Sequence, residues 1–154
     1  MIFDLQRFGQ VLTYDPKKVT VSFGTHQITG FSEDDFLSLE PSGEGVQKVT
    51  GVDGEVGRSL DPNETFHITI HLASTSKSNK HLSEVYNLDK KTGRGMYDFM
   101  IKDLSGSTLF HAEQAWITNF PSADMGKTIS TYDWEFDTGK VEDPIIGGAE
   151  GDDN

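Results

Sequence analysis

Short segments in which apolar and polar residues alternate constrain the fold of this chain more than any other feature of the sequence. The clearest segment, 66–72, reads FHITIHL and places four apolar side chains on one face and three polar side chains on the other. Because successive side chains of a β-strand point to opposite faces, a period of two predicts a strand with one buried face. Alternation or a β-prone composition predicts further strands at 17–23, 26–31, 36–40, 95–103, 108–120 and 127–138.

A single segment, 76–91, has helical periodicity instead. Its apolar residues at 82, 85, 86 and 88 fall on one side of a helix. Ser76 or Ser78 can cap the N-terminus of this helix, and Gly93 follows its C-terminus. The 16 glycines of the chain supply turns between the segments. We therefore predict a mainly β fold, an antiparallel β-sandwich or small barrel of about seven or eight strands with one flanking α-helix.

The sequence divides into a body and two ends of different composition. Residues 1–14 are an N-terminal arm rich in apolar side chains. This arm either covers the core as a first strand or short helix, or docks on a neighbouring subunit. Residues 15–139 contain the predicted elements and form one β domain. Residues 140–154 are rich in glycine and acid, which predicts an acidic mobile tail.

Charge and cysteine content exclude several classes of function. The 154 residues carry a formal net charge of −12, and a chain this acidic repels nucleic acid phosphates. The chain has no cysteine, which excludes disulfides, Cys-ligated zinc and a thiol nucleophile. The sequence also lacks an apolar run of membrane-spanning length and the apolar region of a signal peptide. We predict a protein that is cytosolic when made and has no membrane partner.

The sequence carries none of the common catalytic or metal motifs. It has no Gly-x-Ser-x-Gly elbow and no Gly-x-x-x-x-Gly-Lys phosphate loop. His67 and His71 have the spacing of a helical zinc pair, but on a strand they lie about 13 Å apart. His67 could instead share a metal site with His111 on a paired strand. The acidic runs at 33–35 and 152–153 lack calcium-loop spacing. We predict no enzyme, no metal and no cofactor, and a hydrolase with an unrecognised acid pair remains an alternative.

Three short stretches of the chain, taken in order, resemble stretches of a known protein family. They read GVDGEVGRS at 51–59, GRGMYDF at 93–99, and YDWEF at 132–136 after the pair PS at 121–122. The predicted elements around them are, in order, an opening hairpin, a long glycine-rich segment at 41–60, the clearly predicted strand at 66–72, one helix and three long strands. In these residues and this order of elements, residues 14–139 resemble the tail tube proteins of contractile-tailed bacteriophages.

The resemblance implies a structural protein of the virion. Subunits of that family form hexameric rings that stack into a hollow tube, and their inner strands join into one barrel around the lumen. The implied partners are further copies of the chain, the tail sheath, and tape-measure or initiator proteins. DNA would pass through the tube without specific binding. The subunits would assemble in the host bacterial cytoplasm, and the tube of a secretion system or phage-derived bacteriocin stays open as an alternative.

The resemblance also suggests which residues meet a neighbour. Within the glycine-rich segment at 41–60, residues 46–58 are predicted to form a strand, a turn and a second strand. The segment is longer than an ordinary loop, and we expect it to order only on contact with the adjacent ring. The residues predicted to contribute to ring stacking are Glu44, Gln47, Lys48, Asp53, Glu55 and Arg58. On the last strand, Asp133, Glu135 and Asp137 are predicted to face the lumen, or else to form an ordinary solvated strand face.

A monomeric ligand-binding or carbohydrate-binding β-sandwich is the competing interpretation. Such a module needs a platform of exposed aromatic rings, for which Trp116, Tyr132 and Trp134 are the candidates. From the sequence, these three aromatic side chains are not expected to form one flat surface, which counts against this interpretation.

Overall fold

The computed structural model describes residues 11–33 and 35–148. The first ten residues of the predicted arm and the last six of the predicted tail lie outside the described residues, as does residue 34. In the described part of the chain there are nine β-strands, one α-helix and one short 3-10 turn, Pro16–Lys18. The mainly β prediction is therefore confirmed.

The helix and strands lie close to the predicted segments, with trimmed ends. The α-helix, α1, is Ser78–Thr92. The strands are β1 Val19–Phe23, β2 His26–Ile28, β3 Leu37–Pro41, β4 Val46–Thr50, β5 Val56–Leu60, β6 Phe66–Ala73, β7 Tyr97–Asp103, β8 Leu109–Asn119 and β9 Thr131–Thr138. The largest trimming is at β9, which starts four residues later than predicted because Ile129 is largely exposed and has no buried face to join.

Seven of the strands form one antiparallel sheet in the order β2-β1-β7-β8-β9-β6-β3. The chain after β2 returns to the other end of this sheet. Phe31 forms a bridge with Leu72 on β6, and the Ala73 amide donates to the Gly30 carbonyl at 2.8 Å. The sheet therefore curls around a single core like a nearly closed barrel. Strands β4 and β5 form a separate two-stranded sheet.

The core inside the curled sheet is built from the alternating apolar residues. Phe23, Phe99 and Phe136 pack against one another with ring centroids 5.1 to 6.2 Å apart. Aromatic pairs at these separations contribute about 0.5–1.5 kcal/mol each beyond their buried area. The buried faces of β6 and β9 follow the predicted alternation, with Ile68, Ile70 and Leu72 fully buried.

A β-bulge explains why neither face of β8 is cleanly apolar. Tyr97 pairs with Ala115 while Phe99 pairs with Ala112, so two residues of β8 lie opposite Asp98 alone. The extra residue moves the buried face from even to odd positions, and Ala112 and Ala115 are both fully buried. The buried face of β8 therefore changes from one side of the strand to the other along its length.

Helix α1 packs across the curled sheet through a narrow apolar face. Leu82 and Val85 are buried, whereas Leu88 is exposed. The Nε1–H of Trp134 donates to Asn79 Oδ1 at 3.0 Å, which attaches the helix to β9. Gly93 ends the helix in the left-handed conformation, as predicted, with φ of 72°. Within the described residues, no helix has the length and apolarity to span a membrane.

The start of α1 differs in detail from the predicted serine cap. The N-cap position is Lys77, whose side chain makes no capping hydrogen bond. The Ser76 hydroxyl instead accepts from the Ser78 amide at 3.2 Å. Ser78 is buried, and its hydroxyl lies 3.0 Å from His26 Nε2 and accepts from the Thr29 amide at 3.1 Å. Ser78 therefore serves a tertiary contact.

The packed part of the chain extends beyond residue 139. Val141 is buried and forms a bridge with Ala112 of β8, and Ile145 forms a bridge with Leu109. The Leu109 amide and carbonyl both bond to Ile145, at 2.8 and 2.9 Å. A mobile tail from residue 140 is therefore wrong for this described part, because apolar side chains among the glycines and acids find a place beside β8. For residues 149–154 it stays a prediction.

Candidate functional site

An exposed β-hairpin carries all the residues predicted to stack rings. Strands β4 and β5 pair with each other from Val46 opposite Leu60 to Thr50 opposite Val56. Every residue of both strands is exposed. The predicted strand, turn, strand pattern at 46–58 is confirmed. The hairpin is formed within a single chain, so it does not need a neighbouring ring in order to become ordered.

Hydrogen bonds at the base fix how the hairpin leaves the body. The Asp61 carboxylate accepts from the Glu44 amide at 2.7 Å and from the Asn63 amide at 2.9 Å. These two backbone bonds, the bond from Asn63 having the larger effect, lower the pKa of Asp61. The Asp61 amide donates to the Gly45 carbonyl at 2.8 Å. A Cβ at Gly43 would lie 2.1 Å from the Asn63 carbonyl oxygen, so this crossing requires glycine.

The turn of the hairpin presents two acidic side chains. The Gly51 amide donates to the Glu55 carbonyl at 2.7 Å, and Asp53 Oδ1 accepts from the Glu55 amide at 3.2 Å. Gly54 has φ of 88°, a conformation that favours glycine. These bonds hold Asp53 and Glu55 together at the tip, whereas Glu44 lies at the base.

The two faces of the hairpin have different chemistry. Residues directly opposite in an antiparallel pair share a face. One face therefore carries three pairs of opposite residues: Val46 with Leu60, Lys48 with Arg58, and Thr50 with Val56. The other face carries Gln47 opposite Ser59. The six predicted stacking residues are thus brought onto one hairpin, but on two faces, a base and a tip.

The outward face of β9 carries the three predicted acidic residues, each beside a histidine of β6. His67 Nδ1 lies 2.7 Å from Asp137 Oδ1, and its Nε2 lies 3.3 Å from Glu135 Oε1. His71 Nδ1 lies 2.5 Å from Asp133 Oδ1. Sequence alternation placed these histidines outward, as observed, but it could not show that β9 is the strand beside them.

These contacts change the protonation of the acidic face. The hydrogen bond to Asp137, supported by Glu135, raises the pKa of His67 against the opposing effect of burial. Hydrogen bonds from Asn119 and then from His67 lower the pKa of Glu135. The face consequently holds anions together with a histidine that gains a proton more readily than an isolated imidazole.

The structure does not support the metal sites considered from sequence. His111 lies on β8, which is separated from the β6 strand of His67 by β9. The carboxylate near His111 is Asp98, at 3.5 Å. Among residues 11–33 and 35–148, no three histidine or carboxylate side chains converge as metal ligands.

The candidate aromatic platform is not assembled either. Trp134 is 1% exposed and belongs to the core, and Tyr132 packs against that core. Trp116 lies opposite Asp137, on the outward side of the sheet. The three rings therefore cannot form one exposed surface, and this observation argues against the carbohydrate-binding interpretation.

An apolar slot lies where the two ends of the large sheet approach each other. Its volume is about 860 Å³. It is lined by apolar residues of four strands and the β2–β3 connection, chiefly Val19, Phe31, Leu37, Leu39, Ile101 and Phe110. Glu33, Asp35 and Asp103 lie along it, together with Lys17. Sequence reasoning missed this slot, since no local pattern shows which strands end a sheet.

Solved structures share this curled sheet with its flanking helix. The cap that terminates the tube of the anti-feeding prophage matches with a TM-score of 0.60 and 14% identity, over 92% of this chain and 95% of the cap. A sheath/tube terminator of the extracellular contractile injection system PVC matches with a TM-score of 0.60 and 16% identity, over 90% and 99%. A chain of the PVC sheath-tube complex gives 0.58 and 14%, over 94% and 97%. The fold is therefore that of tube and terminator proteins of contractile systems.

Sequence similarity identifies the family. The family model of the bacteriophage PhiTE tail tube protein matches residues 18–147. Structural protein ORF10 of Pseudomonas phage KPP10 is 31% identical over 134 residues, which cover 82% of this chain and 78% of that protein. The chain belongs to the PhiTE tail tube family, and its role is that of a structural protein of a phage tail tube. The predicted resemblance is confirmed.

Proposed function

We propose that this protein assembles with copies of itself into hexameric rings, and that the rings stack into the tube of a phage tail. The proposal makes it a non-enzymatic component of the virion, assembled in the host cytoplasm. The tail sheath is the expected outer partner, and tape-measure or initiator proteins are the expected partners at the tube end. The solved sheath-tube complex of similar fold supports the sheath assignment.

The observation that carries the proposal is the exposed hairpin β4–β5. Val46, Val49, Val56 and Leu60 are 55–70% exposed on it. Apolar surface of this kind, rimmed by charge, marks interaction sites in soluble proteins. The bonds at the base hold the hairpin in a defined direction without burying it on its own body. A second copy of the chain is the partner that a homopolymeric tube provides.

The outward face of β6 and β9 is the surface we assign to the lumen. Asp133, Glu135 and Asp137 give it negative charge, and the whole chain carries −12. DNA phosphates are repelled by such a wall, so the genome can slide without binding. Protonation of His67, whose pKa is raised, reduces this negative charge as the pH falls.

Electron microscopy of the purified full-length protein tests the proposal directly. We expect uniform hollow tubes or stacked rings at high protein concentration. The D53K/E55K variant, altered at the exposed hairpin tip, should remain as single rings or monomers. The control E84K/D124K makes the same change in net charge on exposed residues elsewhere and should assemble normally. Small monodisperse particles of the wild type under all conditions, or normal tubes of D53K/E55K, would contradict the proposal.

A further inference from the structure

We propose that the hairpin β4–β5 of one copy docks in the apolar slot of another copy, with Lys48 and Arg58 meeting the carboxylates of Glu33 and Asp35. This inference rests on the proposed self-assembly and names the surface that receives the hairpin. It assigns a donor and an acceptor to every chain. The contact is therefore head to tail, which is the kind that propagates into a continuous assembly.

The donor face has an unbalanced pair of cations. Lys48 and Arg58 are directly opposite each other across β4 and β5, and like charges in this register destabilise a strand pair. Neither forms a salt bridge with any carboxylate of the described residues. Val46 and Leu60 lie on the same face toward the base, and Thr50 and Val56 lie toward the tip. A partner for this face must offer negative charge beside apolar surface.

The slot offers that combination. Val19, Phe31, Leu37 and Leu39 are partly buried residues that pack against the core and still line the open slot. Glu33 and Asp35 are exposed on the β2–β3 connection at its edge, and neither forms a salt bridge within the described residues. Asp103 adds a third carboxylate, and Lys17 is the cation of the lining. The excess of acid over base in the slot complements the two cations of the donor face, Lys48 and Arg58.

A second copy is favoured as the occupant by this charge complementarity. In the single chain all ten residues of β4 and β5 remain exposed, so the chain does not fill its own slot with its own hairpin. Burying valine and leucine side chains in the slot would contribute about 1.5–3 kcal/mol for each side chain fully removed from water. The ionic contacts would select the partner and its register.

A charge-swap mixing experiment tests the contact. The K48E/R58E variant has an acidic donor against an acidic slot, and the E33K/D35K variant has a basic donor against a basic slot. Each variant alone should fail to form tubes while unfolding at the wild-type temperature. Mixed in equal amounts, each donor meets an oppositely charged slot of the other variant, and tubes should return in electron microscopy and sedimentation. In the control mixture of K48E/R58E with E84K/D124K, only the E84K/D124K chains should form tubes, and K48E/R58E should stay in the unsedimented fraction.

The outcomes separate this inference from the proposed function. If the wild type forms tubes but the equal mixture of K48E/R58E and E33K/D35K does not, the docking contact is overturned and the tube function remains intact. Absence of wild-type tubes would overturn the tube function itself.

Cross-linking gives a second test, which is carried out on assembled protein and does not depend on a variant that fails to assemble. The chain has no cysteine, so introduced thiols are the only ones. S32C/T50C places one thiol in the slot and one on the donor face, and mild oxidation of assembled protein should give a ladder of covalently linked chains. The control S32C/Q47C moves the second thiol to the opposite face of the hairpin and should give little ladder. Equal ladders from both variants, or filling of the slot by residues 1–10 so that no ladder forms, would overturn the proposal.

Discussion

At the scale of single residues, His67 couples the protonation of the acidic face to stability. Its pKa in the folded protein is raised, mainly by the hydrogen bond to Asp137. A group with a raised folded pKa stabilises the protein fully below its unfolded pKa of about 6.5, and the contribution is lost as the pH rises through the folded pKa. Protonation of His67 therefore favours the folded state in mildly acidic solution.

We expect H67Q to lower the melting temperature more at pH 5.5 than at pH 8.5. Thermal unfolding followed by circular dichroism at the two pH values measures this difference. Repeating the comparison in a D137N background is the control, because without the Asp137 carboxylate most of the pH dependence of the substitution should disappear. The same loss of melting temperature at both pH values would mean that the His67–Asp137 contact carries no proton-linked stability.

Gly43 is a second residue that matters to the local structure, because the Cβ added by a substitution there would clash with the backbone. We expect G43A to destabilise the protein by about 1–3 kcal/mol, the range for backbone clashes that must be relieved by movement. The reason is the 2.1 Å approach of the added Cβ to the Asn63 carbonyl oxygen at the base of the hairpin. Chemical denaturation measures the change. G57A, in β5 with no atom within 4 Å of its added Cβ, is the matched control and should be neutral or slightly stabilising.

At the scale of elements, the bulge in β8 decides which side chains enter the core. Glu113 and Gln114 lie opposite Asp98 alone, and the extra residue lets Ala112 and Ala115 both face inward. Without it, a one-residue slip would turn either Phe110 and Ala112 or Ala115 and Ile117 to the solvent. The bulge therefore determines which side chains of β8 are buried in the core.

Deletion of Glu113 should prevent stable folding, although its side chain is exposed. We expect loss of the cooperative thermal transition and of dispersed amide signals in NMR spectra. Substitution E113A is the control for loss of the side chain and should change the free energy of unfolding by less than about 0.5 kcal/mol. A folded deletion variant with wild-type stability would show that β8 can realign without the bulge.

At the scale of the whole molecule, the proposed position of the β9 face at the lumen predicts that the sign of its charge decides whether the tube retains DNA. Tubes of D133K/D137K should retain double-stranded DNA and protect it from nuclease at low salt, since a basic wall attracts phosphates. Wild-type tubes should not. E84K/D124K has the same net charge and should leave DNA unprotected. Equal protection by both variants would place β9 away from the lumen.

Part of the architecture was predictable because patterns among neighbouring residues of the sequence specify it. The alternation in β6 and β9, the periodicity of α1 and the glycine at its end each involve fewer than two dozen neighbouring residues. The same holds for the hairpin, whose strands and turn are contiguous. The predicted stacking residues therefore fall on one real element. Their assignment to ring stacking is still a proposal.

The sequence by itself determined the strands, the helix, the negative charge and the pairing of β4 with β5 in a hairpin, because backbone geometry and side-chain alternation act over a few residues. Tertiary structure alone decided the order of strands in the sheet. That order sets the bulge of β8 against Asp98, the pairing of His67 with Asp137, the packing of Val141 and the slot between the sheet ends. These features depend on which distant segments bury each other's apolar faces, and no local pattern records that choice.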